Sequence, residues 1–200
     1  MPKKSTKTSD TPARQKPLHI SPEQLSLYAH AFHNSAKTLA SAFHATPTPF
    51  PNIEVSPVVL MYRHSVELQL KAIVLGSGGN FLPEKPDVIS VHQSHAVNWL
   101  AQFIRQIITA LQWQHAFTCD GIQSLADFKA AIDQINLVDP GTYIYLPEAK
   151  DSVPGSGKLT FSEFTRRMDA LLELLSHSAD ALAAEWDLRS AGGSIERTIH

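Results

Sequence analysis

Between Ser56 and Gly76 the chain reads SPVVLMYRHSVELQLKAIVLG, a segment bounded by helix signals and apolar on nearly every side. Ser56 is suited to cap a helix, and Pro57 to occupy its first turn, where proline's missing N–H and fixed φ do no harm. Gly76, followed by Gly78 and Gly79, supplies the stop. At about 100° per residue, Val59, Tyr62, Val66, Leu70 and Ile73 share one face, and Met61, Leu68, Ala72 and Leu75 a nearly opposite one. A helix with two apolar faces has to be enclosed by neighbours, so it is expected at the centre of its domain. Arg63, Glu67 and Lys71 nevertheless recur one turn apart along it, with His64 beside them. Ionic groups on an enclosed helix need partners, because an unpaired buried charge is strongly disfavoured. The spacing leaves three roles open for the strip: a solvent-facing ladder of ion pairs, a buried network that fixes helix register, or a ligand site.

Further helices flank this one. Ser21-Pro22-Glu23-Gln24 has the form of a capping box, and Leu25, Tyr28, Phe32, Leu39 and Phe43 follow as an apolar stripe to about Ala45. Pro47, Pro49 and Pro51 then predict a stiff connector, and residues 77–90 a loop. A third helix is expected from Ser94 with Val97, Leu100, Ile104, Ile107 and Leu111 inward, ending before Cys119-Asp120-Gly121. Ser124 caps a shorter helix whose inward residues are Phe128, Ala131, Ile132 and Ile135. Asp139-Pro140-Gly141 reads as a turn, and Tyr143 to Leu146 as one short extended segment. The last helix opens on the capping box Thr160-Phe161-Ser162-Glu163 and carries Phe164, Met168, Leu171, Leu175, Leu182 and Trp186. With no strand–helix alternation, the expected fold is an all-α, five-helix bundle. Residues 20–188 form its single domain, between a disordered basic tail at 1–19 and a disordered tail at 189–200.

The formal charge of the 200-residue chain is -2, so no overall field argues for nucleic acid, although a local basic patch remains compatible with it. A single cysteine, Cys119, allows neither a disulfide framework nor a thiolate metal cluster. No apolar run approaches a membrane span, and no signal-peptide core follows the N-terminal lysines; the expectation is a cytoplasmic protein without membrane contact.

The central strip resembles a known signature. RHSVELQLKAIVL followed by SHAVNWL is similar to the paired motif of HEPN-type helical domains, R-H-x-x-E-L-x-L-K-A-x-L and then H-[DN]-L-x-x-L. Arg63, His64, Glu67, Leu68, Leu70, Lys71, Ala72 and Leu75 match the first part, and His95, Val97 and Leu100 the second, with Ala96 in place of the usual acid or amide. A third family element, F-R-Y-P, is represented by Ile144-Tyr145-Leu146-Pro147, where Tyr145 replaces arginine. The resemblance spans about 56–187. It implies an up-down helical core, often homodimeric, found in bacterial defence or toxin–antitoxin systems. Many such domains are metal-independent ribonucleases that use R-x(4-6)-H near the start of the final helix. Here Arg166 and Arg167 lie too far from His177, and the one spacing match, Arg14 and His19, is interrupted by Pro17. The resemblance therefore implies a non-catalytic interaction module that binds a nucleotide, RNA or a protein partner. The candidate polar site is Arg63, His64, Glu67, Lys71, His95 and Tyr145. A metal-independent ribonuclease with a relocated site, and a purely structural dimerisation protein, are the alternatives.

No phosphate loop, dinucleotide fingerprint, G-x-S-x-G or H-E-x-x-H occurs. The i, i+3 pairs His30/His33 and His92/His95 have metal-chelating spacing, but the sequence supplies no matching third ligand, and neither a metal nor another cofactor is expected. Gly76-Ser77-Gly78-Gly79 follows a helix rather than opening one, so it reads as a helix stop, not a phosphate cradle.

Overall fold

A computed structural model describes residues 20–45, 51–136 and 160–195. Within them lie six α-helices: α1 (Pro22–Ala45), α2 (Pro51–Leu75), α3 (Val88–Gln93), α4 (Val97–Ala110), α5 (Leu125–Asn136) and α6 (Phe161–Ile195), with a 3-10 helix at Ser77–Phe81 between α2 and α3. An isolated antiparallel bridge joins Cys119 and Ile122. The fold is an all-α bundle.

α2 is its axis. Val59, Tyr62, Val66, Leu70 and Ile73 are buried, and Leu68 and Ala72 on the other side are buried too. α1, α3, α4, α6 and the 3-10 helix all pack on it, and its longest contact is with α1. Ser26 meets Gln69, the carbonyl of Ala29 meets Ser65, and His33 meets Tyr62, so α1 and α2 run antiparallel. Small side chains allow the close approach: α1 buries Leu25, Ala29, His33, Ala36 and Ala40. The expected stripe is thus shifted. Tyr28 and Leu39 are exposed, and alanines, which carry little hydropathy signal, take the inward positions.

Several boundaries also differ from expectation. α2 begins at Pro51, with Pro57 inside the helix, so Ser56 is not its cap. The single helix expected from Ser94 is two helices. Asp87 caps α3, accepting from the amide of Ser90 at 2.8 Å, and Ser94 ends it. α4 then starts at Val97 and buries Val97, Leu100, Ile104 and Ile107 as its pattern predicts. This division makes the five expected helices six. α4 ends at Ala110, earlier than Cys119 implies. The amide of Trp113 bonds to Ile108 O and that of Gln112 to Thr109 O, a paired C-terminal closure. Gln112 holds the left-handed position at φ 58°, where glycine is the usual signal.

The capping boxes form. Gln24 N bonds to Ser21 Oγ and Ser21 N to Gln24 Oε1; Glu163 N bonds to Thr160 Oγ1 and Thr160 N to Glu163 Oε2. Ser124 Oγ likewise accepts from Asp127 N at the start of α5. At the end of α2 the glycines act as the expected stop, and at Gly79 close approach requires one: a Cβ there would run into Val74 O. α6 runs to Ile195, past the boundary expected at 188. The basic tail 1–19, the connector at 46–50, the turn at 139–141 and the extended segment 143–146 lie outside the described residues.

Candidate polar site on the central helix

The α2 strip is drawn inward. Glu67 and Lys71 are each 4% exposed, so the pair is no solvent-facing ladder. Lys71 Nζ donates to Glu67 Oε1 at 2.8 Å and to the His92 carbonyl at 2.9 Å. His92 lies in the last turn of α3, where carbonyls lack helical partners, so the ammonium completes that helix end. Glu67 Oε1 also bonds to His95 Nδ1 at 3.0 Å, and Arg63 Nη2 donates to the His95 carbonyl at 3.2 Å. His95 occupies the short link between α3 and α4. Both α2 cations thus end on carbonyls of one corner, and the carboxylate between them holds the ring of His95.

Only part of this cluster meets solvent. The His95 side chain is 78% exposed while that of Glu67 is 5% exposed. His64 and Arg63 are half-buried at the edge. The His64 ring packs edge-on against Phe32 of α1, with centroids 4.5 Å apart. Burial pushes the His64 imidazole below its ordinary pKa; Glu67 opposes that shift, and Lys71 and His95 add to it. Hydrogen bonds join Arg63, Glu67, Lys71 and His95 in one cluster, a buried ion pair beneath an accessible rim. His64 is next to Arg63 in the chain, with its ring turned to α1. Tyr145 lies outside the described residues.

A second polar junction was not read from the sequence. Asp169 Oδ1 on α6 accepts from Tyr62 OH at 2.8 Å and bonds to His33 Nε2 at 2.7 Å. Tyr62 is fully buried, and burial, followed by the hydrogen bond and charge of Asp169, strongly raises its phenol pKa. The junction ties α1, α2 and α6 together. His30 Nε2 lies 3.4 Å from Ser176 Oγ, so His30 and His33 face different α6 partners. Among the described residues no group of three metal-ligating side chains could hold a metal ion. Cys119 Sγ contacts the Ala170 carbonyl at 3.4 Å, and burial, then the charges of Asp120 and Glu173, raises its pKa. That thiol stays protonated at neutral pH and is a poor nucleophile.

Compared with family models, curated proteins and solved structures, the chain matches none. Among the described residues no helix is long and apolar enough to cross a membrane.

Two outcomes follow from the burial. Glu67→Gln leaves the Lys71 ammonium buried without its counter-charge and should destabilise the fold by about 3–5 kcal/mol, measured by urea denaturation. The apolar pair Glu67→Leu/Lys71→Met should recover most of that loss. Because the folded state depresses the His64 pKa, it favours the neutral ring. Stability should be flat above the unfolded imidazole value of about 6.5 and fall as pH drops below it. In His64→Gln that part of the acid limb should disappear from a stability–pH profile.

Proposed function

We propose that this chain is a HEPN-like module that binds rather than cleaves, and that the rim of Arg63, His64 and His95 receives an anionic group, the phosphate of a nucleotide or RNA. The observation that carries this reading is the charge balance of the cluster. Two permanent cations, Arg63 and Lys71, surround one carboxylate, Glu67, and Lys71 is spent on the interior. The excess positive charge therefore belongs to Arg63 at the edge, which keeps further guanidinium donors beyond its bond to the His95 carbonyl. A guanidinium fork with an adjacent imidazole suits phosphate oxygens. The signature around Arg63–Lys71 and His95 supports the same reading, and with it a setting in bacterial defence or toxin–antitoxin systems.

One observation favours a second reading. With Glu67 on Nδ1, His95 has its other ring nitrogen free of that carboxylate, an arrangement suited to proton transfer. A metal-independent ribonuclease acting through Arg63, His64 and His95 is that alternative.

A labelled single-stranded RNA incubated with the protein in EDTA separates the readings. Retardation without cleavage is expected, with binding weakened about tenfold in Arg63→Ala, the loss of one charge-assisted contact. Cleavage that disappears in both His64→Ala and His95→Ala would establish the ribonuclease instead. Neither binding nor cleavage, with a dimer by light scattering, would leave a structural dimerisation protein.

A further inference from the structure

At the opposite end of α2 from its N-terminal proline, a cleft of about 450 Å³ lies between the start of α1, the glycine-rich turn, the start of α3 and α6. Its size is within the range of small-molecule sites. Part of its wall is apolar: Val74 and Leu75 from α2, Val88 from α3 and Trp186 from α6. Val88 is 45% and Trp186 39% exposed, so two of the large apolar side chains that the fold leaves uncovered turn into one concavity. The indole is held edge-to-face by Phe81 at 6.1 Å, and Arg189 covers that phenyl ring at 5.2 Å.

The lining also carries one charge of each sign. Lys85 is steered by its bond to Asn80 Oδ1 at 2.8 Å, and that amide oxygen leaves its charge uncompensated. Glu23 on α1 is the carboxylate, exposed at the edge of the cleft. The carbonyl end of α2, a helix of 25 residues with no basic side chain in its last turn, opens on the same cleft. Helix C-termini favour cations, so this end reinforces Glu23.

We propose that this cleft binds a small zwitterion with an apolar body, an amino acid with a hydrophobic side chain. The ammonium group lies toward Glu23 and the carbonyl end of α2, the carboxylate toward Lys85, and the side chain against Trp186, Leu75 and Val88. A purely cationic ligand would leave Lys85 opposed, and a purely anionic one would meet Glu23 and the helix end; only a ligand carrying both charges answers both.

Isothermal titration of the full chain with L-phenylalanine tests this, beside phenethylamine, which lacks the carboxylate, and 3-phenylpropionate, which lacks the amine. L-Phenylalanine is expected to saturate below about 1 mM, with each single-charge analogue at least about tenfold weaker. Glu23→Gln should remove the preference over 3-phenylpropionate, and Lys85→Met the preference over phenethylamine. Both substitutions are at exposed positions, and circular dichroism verifies that the variants fold. Equal binding of all three compounds would reduce the site to an apolar groove and overturn the proposal. So would the absence of heat up to about 10 mM L-phenylalanine. Arg63→Ala should leave this titration unchanged, so it succeeds or fails independently of RNA binding.

Discussion

An ion pair on a helix enclosed by its neighbours has few ways to be tolerated, and the Glu67–Lys71 pair shows one of them. Each side chain is 5% exposed, so neither can turn to water for relief. Pairing alone seldom compensates fully for desolvation at such depth; the remaining polar atoms need partners as well. Those partners come from a single place. His92 supplies a carbonyl, His95 a ring nitrogen, and Arg63 reaches the same corner from one turn earlier on α2. The break between α3 and α4 thus meets a group of charges that need hydrogen bonds, while the carbonyl end of α3 needs a donor. Each resolves the other.

The Asp169 junction works by the same logic on the other side of α2. Tyr62 is completely buried and its hydroxyl needs an acceptor; His33 turns inward from α1 among alanines; one carboxylate oxygen on α6 serves both. Three helices are thereby registered at a single atom. Apolar packing between α1 and α2 is non-directional and would tolerate small axial shifts. The two polar junctions do not, because their hydrogen bonds weaken within fractions of an ångström.

Much of this was legible before any coordinates. Proline, capping and glycine signals mark the start of α1, the end of α2 and the start of α6, because those signals are local backbone chemistry. The encirclement of α2 follows from its two apolar faces. Four members of its strip, Arg63, His64, Glu67 and Lys71, are adjacent by helical spacing alone, and His95 joined them through the signature. Other features were hidden for physical reasons. The inward face of α1 is built from alanines, while its larger Tyr28 and Leu39 point outward. The end of α4 depends on Gln112 adopting φ 58°, a conformation its residue type does not advertise. Asp169 bonds to residues 107 and 136 positions away, a separation at which no periodicity speaks.

The exposed rim inherits its geometry from the buried pair, since the position of His95 depends on Glu67 and on the corner that Lys71 completes. The most direct test is amide hydrogen exchange across residues 88–97, followed by mass spectrometry, in the native chain and in Lys71→Met. If the buried ammonium holds the α3–α4 corner, exchange there should accelerate by more than the general loss of protection read at the amides of α2 between 62 and 73. Unchanged exchange across 88–97 in a folded Lys71→Met protein would contradict the account.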